Sequence, residues 1–232
     1  MARTGFFHHI GSFLLFAATI LLLVTTISSP VVNDISMLKV DLSNSTSEHQ
    51  SAITFGTFGW CTIHTASGHD ACSPKKIGYN PSAVIANADG TDNFSNASED
   101  STKALTRVMV LHPIATGVAF IAFLLAVGAG VVGSFLGALV SLVAFVITAV
   151  VLITDFVLFH LVKKHVNEDG SGSKASYGVG LWLILAAGIC LLLGTLVVFF
   201  SCCSARLHRS RGTSSGKADP AYVAQPRRRR FF

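Results

Sequence analysis

Charge is what this sequence has least of. Asp, Glu, Lys and Arg together make up 12% of its 232 residues, and hydrophobic residues make up 51%. Soluble domains carry about 25% charged residues. So few charges cannot give a globule of this length a solvated surface. That excludes one or two ordinary soluble domains and makes lipid the solvent for much of the chain. Catalytic arrangements are lacking as well. No nucleophile–histidine–acid triad, pair of catalytic carboxylates or phosphate loop is legible, so an enzyme is not expected, and no catalytic residue or cofactor is assigned. Two glycine motifs are chance matches. Gly128-Ala-Gly-Val-Val-Gly133, with Asp155 further on, has the spacing of a dinucleotide fingerprint. That reading needs a preceding strand and a soluble parallel sheet, whereas both flanks here are long and apolar. Gly212-Thr-Ser-Ser-Gly216 has the pattern of a nucleophile elbow but no sheet to strain its serine.

What is present is apolar length. A membrane helix needs about 20 mostly apolar residues, and four stretches meet that need: residues 10–27, 108–130, 134–162 and 179–200. Between Pro113 and Lys163 the only ionisable residues are Asp155 and His160. So long a run cannot be one crossing at about 1.5 Å per residue, and it divides where glycines concentrate, in Val127–Ser134. The expected fold class is an all-α membrane protein, a four-transmembrane-helix bundle. The first stretch also admits a cleaved signal peptide, since it follows Arg3, His8 and His9 and ends in small residues. Its 18 residues exceed the usual signal core of about 7–15, which favours a retained helix.

The positive charge sits at one end. Residues 201–232 carry eight basic residues and one acid, whereas residues 28–107 carry five basic and eight acidic. A basic tail beside a membrane span reads as a topology or lipid-contact signal rather than a nucleic-acid surface. The positive-inside rule places that tail, and after four crossings also residues 1–9, in the cytosol. Residues 28–107 and 163–178 then form two outer loops, with Lys163 and Lys164 on the side the rule disfavours. Three glycosylation sequons, at Asn44, Asn93 and Asn96, all fall in the first of these loops. Within it, residues 83–102 read as a flexible, solvated polar run, and the loop as a whole shows no large apolar core of its own.

The five cysteines divide by compartment. Cys61 and Cys72, alone in the outer loop, suit a disulfide in an oxidising compartment, which would stabilise a loop of that size by about 3 kcal/mol. A second reading is zinc, held by Cys61, His64, His69 and Cys72 in a C-x2-H-x4-H-x2-C arrangement. Cys190 lies inside the fourth stretch, and Cys202 and Cys203 at its cytosolic end are palmitoylation candidates. Small residues repeat every fourth position at Gly133, Gly137 and Ser141 and again at Ala186, Cys190 and Gly194, a spacing that lets helix backbones approach in lipid. Asp155 is the one acid in the apolar stretches. A charge at that depth is costly and reads as functional by default. A structural partner such as Arg107, His112 or Thr26 is favoured over proton transport, because one acid makes no relay.

Several segments together carry a family resemblance. Phe55-Gly-Thr-Phe-Gly-Trp-Cys61 contains Gly59 and Trp60, and Cys72-Ser-Pro-Lys-Lys-Ile-Gly-Tyr79 contains Gly78 and Tyr79. His112-Pro113 opens the second helix, and Asp155-Phe-Val-Leu-Phe159 lies near the end of the third. Over residues 6–203 these resemble the fungal PalI family of claudin-like four-span proteins, whose superfamily includes eisosomal Sur-type proteins. The resemblance implies a small disulfide-clamped extracellular domain with claudin-like β-structure and a multi-pass plasma-membrane location. It also implies an accessory role in alkaline-pH sensing, in which the protein assists a seven-span PalH-type sensor upstream of proteolytic activation of a transcription factor. The lipid bilayer and that sensor are the expected partners. His64 and His69 would then be pH-responsive candidates. The alternative is a structural organiser of membrane domains or cell contacts that forms homo-oligomers through the small-residue faces. A transporter is disfavoured for want of inverted repeats and buried charge sets. The terminal Phe231-Phe232 pair has the form of an ER-export signal.

Overall fold

The computed structural model describes residues 6–32, 34–43, 52–63, 70–89, 96–128, 130–168 and 170–212. In chain order the elements are α1 (Phe6–Thr26), β1 (Leu38–Asp41), β2 (Ala52–Phe55), β3 (Trp60–Ile63), β4 (Ala71–Cys72), α2 (Pro81–Asp89), α3 (Asn96–Val108), α4 (Leu111–Gly128), α5 (Gly130–Glu168), β5 (Lys174–Tyr177) and α6 (Val179–Gly212). Four helical segments are long and apolar enough to cross a bilayer. They run up, down, up and down as α1, α4, α5 and α6, and each packs on two neighbours in a ring.

The burial pattern is that of a bundle solvated by lipid. Large apolar side chains face outward, among them Phe13, Leu23, Ile121, Val143, Ile153, Ile189 and Phe200. Small ones face inward, as in the alanine row Ala115, Ala119, Ala122 and Ala126 of α4. Without a hydrophobic drive between helices, close backbone approach supplies the packing. A Cβ on Gly137 would stand 2.9 Å from the Ala126 nitrogen, so α5 lies directly on α4. A Cβ on Gly194 would stand 3.0 Å from Leu15 Cδ2, and one on Gly11 2.7 Å from Val198 Cγ2, so α6 lies equally close to α1. Ser141 and Thr195 join α5 to α6 by a hydroxyl hydrogen bond of 2.8 Å. Gly137, Ser141 and Gly194 of the small-residue faces are therefore occupied inside one chain. The α1 helix is a full member of the bundle, with Leu15, Ala18 and Leu22 in its core.

At one end of the bundle sits a five-stranded antiparallel sheet in the order β4-β3-β2-β1-β5. Its last strand comes from the segment between α5 and α6, where Leu38 to Asp41 pair with Tyr177 to Lys174. The small domain is thus built from both inter-helix loops. Its core is shared with the bundle: Met37, Leu38, Val40, Ile53 and Phe55 meet Phe159, Val162 and Val166 of α5. This explains why α5 runs to 39 residues, about 58 Å, against a hydrocarbon core of about 30 Å. Its last turns serve as one wall of the sheet domain.

The structure corrects several sequence expectations. The polar run 83–102 is not a solvated loop, because residues 83–89 lie in α2 and 96–102 in α3, with Ile85, Ser82 and Thr102 buried. Ser82 and Thr102 bond each other across the two helices at 3.0 Å. The long loop between the first and second apolar helices does have an apolar core, one it completes only with α5. The helices that carry the expected spans 108–130, 134–162 and 179–200 run Leu111–Gly128, Gly130–Glu168 and Val179–Gly212.

Candidate functional site

The polar residues of the bundle converge beneath the sheet. Pro113 stands in the first turn of α4, where a missing N–H costs nothing, and His112 precedes it. The His112 backbone donates to the Met109 carbonyl at 3.1 Å, and the ring Nδ1 lies 3.1 Å from the same oxygen. A carbonyl only accepts, so Nδ1 carries the hydrogen and Nε2 is turned toward α5. There it meets Asp155 Oδ2 at 3.1 Å, both side chains being essentially fully buried. The contact falls short of hydrogen-bond alignment. With Nδ1–H committed to Met109, the pair coheres through one further proton, held as imidazolium and carboxylate or as imidazole and carboxylic acid. Either form is neutral overall, which is what permits it at this depth. Of the three partners the sequence offered for Asp155, the structure selects His112. Thr26 instead bonds Thr116 at 3.1 Å, and the Arg107 side chain lies over Gly78.

Tyr79 forms the layer above. Its hydroxyl donates to the Gly56 carbonyl at 2.7 Å, its own carbonyl accepts from Thr106 Oγ1 at 2.7 Å, and its ring stacks on Phe55. Burial, and then the nearby charge of Asp155, push the Tyr79 phenol well above its ordinary value. A folded-state value raised above the unfolded one leaves its stabilising contribution intact below about pH 10, to be lost only as pH climbs further. Tyr79 is therefore a constant hydrogen-bond donor across ambient pH. Gly78 adopts φ +72°, and a Cβ there would stand 2.7 Å from Arg107 Cγ, which accounts for the glycine before the tyrosine.

The Phe55–Cys61 segment is the tight hairpin between β2 and β3, and it rests on the end of α1. Thr57 Oγ1 donates to the Thr25 carbonyl at 2.9 Å, and Thr57 N donates to Ser28 Oγ at 3.0 Å. A Cβ at Gly59 would stand 2.5 Å from Ser73 Oγ and 3.2 Å from Pro30, and the neighbouring Trp60 N–H donates to that same Ser73 hydroxyl. Cys61 and Cys72 stand directly opposite in the β3–β4 pairing and are joined by a disulfide. That bond takes both sulfurs from the zinc reading, whose other members, His64 and His69, lie outside the described residues. Asn44 and Asn93 also lie outside them, as do Phe231, Phe232 and the side chain of Asn96, the first residue of α3. At the far end of α6, Cys202 is buried and Cys203 half-buried, so Cys203 is the more accessible thiol.

Two features were not anticipated from sequence. His8, buried near the start of α1, hydrogen-bonds the Ala126 carbonyl at 2.9 Å and pins α1 to the α4–α5 turn. Tyr177 gathers His160 and Lys163 around itself. Neither has a local pattern, since each depends on segments far apart in the chain.

The model of the SUR7/PalI family matches residues 7–196. The pH-response regulator protein palI/RIM9 of Pyricularia oryzae is 30% identical over 191 residues, which is 79% of this chain and 22% of that protein. The palI/RIM9 protein of Yarrowia lipolytica is 30% identical over 192 residues, 80% of this chain and 22% of its own length. The palI/prr-5 protein of Neurospora crassa is 32% identical over 114 residues, 49% of this chain and 14% of its own length. The chain thus spans between 14% and 22% of the length of the curated relatives it matches.

Proposed function

The chain belongs to the SUR7/PalI family, and from that premise we propose that it is a non-enzymatic plasma-membrane component of the fungal response to alkaline ambient pH. One observation carries the reading: the family match takes in the sheet and reaches all four membrane helices, ending at Leu196 within α6, and the relatives that share this region are named for pH response. In this role the protein assists a seven-span PalH-type sensor, upstream of proteolytic activation of a transcription factor. The sheet faces outward and both ends of the chain lie in the cytosol, as the basic tail and the three sequons favour. The α1 helix is retained, because its removal would strip Leu15, Ala18 and Leu22 from the bundle core. The alternative, a membrane-domain organiser that assembles through small-residue faces, loses its main route, since Gly137 and Gly194 are spent within one chain.

Deletion of the gene tests the proposal. The expected result is poor growth at alkaline pH with an unprocessed transcription factor, both restored by this chain. Normal alkaline growth and normal processing in the deletion strain would end it.

A further inference from the structure

One face of the bundle joins an apolar groove to a polar cluster standing above it. The groove, of about 250 Å³, lies between α5 and α6 and exposes no polar surface. Phe145, Ala149 and Ile153 line it from α5, and Gly188, Ile189 and Leu192 from α6. Gly188 opens it, since a Cβ there would meet nothing closer than Thr148 Cγ2 at 3.9 Å. The α5 stripe continues at helical spacing from Ala149 and Ile153 through Phe156 to His160 and Lys163.

At the top of that stripe Tyr177 organises a donor set. Its ring meets Phe156 edge-on, its hydroxyl lies 3.3 Å from His160 Nδ1, and Lys163 Nζ stands over its face at 4.2 Å. Among the described residues no carboxylate pairs with Lys163 or Lys164. Trp182, 55% exposed in the first turn of α6, is the amphipathic ring expected at a headgroup boundary. Lys163 stands about 21 Å along α5 from Ala149, and one leaflet with its headgroups is about 20–22 Å thick. An amphiphile with an anionic head at Lys163 would therefore lay the end of its chain in the groove.

We propose that the α5–α6 face is a binding site for a single phospholipid of the leaflet beside the sheet, its phosphate on Lys163, His160 and Tyr177 and an acyl chain in the groove at Gly188. A phosphate answers the charge of Lys163, which no carboxylate among the described residues neutralises. A sterol carries no charge to do so, and a transmembrane helix presents apolar surface where the cationic cluster stands. If the sheet faces outward, the site also gives Lys163 a reason to sit where the positive-inside rule disfavours it. It holds whichever side the sheet faces and is independent of the role in pH response.

The test uses the full chain in phosphatidylcholine nanodiscs doped with phosphatidylserine that carries a diazirine near the end of one acyl chain. Photolabel is expected on peptides containing residues 145–153 and 185–192. Gly188→Leu should abolish it, and Lys163→Ala should lower it roughly fivefold, the loss of one lysine near an anionic surface. An intact Cys61–Cys72 disulfide and an unchanged elution profile show that the variants fold. If the leucine variant does not, Gly188→Ala is read in its place, with reduced label expected. Label spread evenly over the outward faces of all four helices, or label unchanged by these substitutions, would overturn the site. So would a photo-reactive residue at Ile189 that captures protein rather than lipid in native membranes.

Discussion

His112 and Asp155 show how a buried pair is worth less than the cost of breaking it. Both are removed from water, and their attraction offsets the desolvation only while both are present. Asp155→Leu alone should therefore destabilise the protein by about 3–5 kcal/mol. His112→Leu with Asp155→Leu should recover most of that loss, because the remaining volume is apolar and nothing charged is left unpaired. Thermal unfolding in detergent, run as a double-mutant cycle, measures the difference. A double variant as unstable as the single one would mean that the two residues act separately. The sequence already marked Asp155 as anomalous and named His112 among its partners, because acids are so scarce in this chain. It did not show Tyr79 above them. That phenol stacks on Phe55 and bonds the Gly56 carbonyl, both from another part of the chain, and no short-range pattern records such an encounter.

At the scale of elements, the four helices were legible because apolar length in a bilayer leaves little choice. Their ends were not. The final turns of α5 are as polar as a loop, with Lys163, Lys164, His165 and Glu168, yet they stay helical because Val162 and Val166 face the sheet core. Likewise α3 hides its amphipathic face behind a polar composition, and β5 is four residues in a short linker that become a strand only when β1 is beside them. Helix contact makes a sharper prediction. At Gly137 a side chain would meet the backbone of α4 rather than a movable side chain. Gly137→Leu should therefore lower the melting temperature and cost about 1–3 kcal/mol, the usual range for overpacking. Gly117 has no heavy atom within 4 Å of a built Cβ, and Gly117→Leu serves as the neutral comparison. Equal melting temperatures for the two variants would show that the α4–α5 contact is looser than this geometry.

For the whole molecule, orientation follows from the distribution of charge and sequons rather than from the fold. If the sheet faces outward, some or all of Asn44, Asn93 and Asn96 are glycosylated. Treatment with an N-glycosidase should then shift the wild-type protein on a gel and leave the triple Asn→Gln variant unchanged, while a tag after Phe232 stays shielded from protease in sealed cells. An unshifted wild type together with an accessible tag would invert the topology. Either way, the β1–β5 pairing sets a path for mechanical load. A force applied to the sheet leaves by three routes: α1 through Ser28 and Ser29, α6 through Gly178, which abuts the Ser36 backbone, and α5, whose last turns wall the sheet core. The α6 helix lies against both α1 and α5, so the three take the load in parallel, as staves of one handle. A tug on the sheet would load α1, α5 and α6 together instead of drawing one helix out of the bundle.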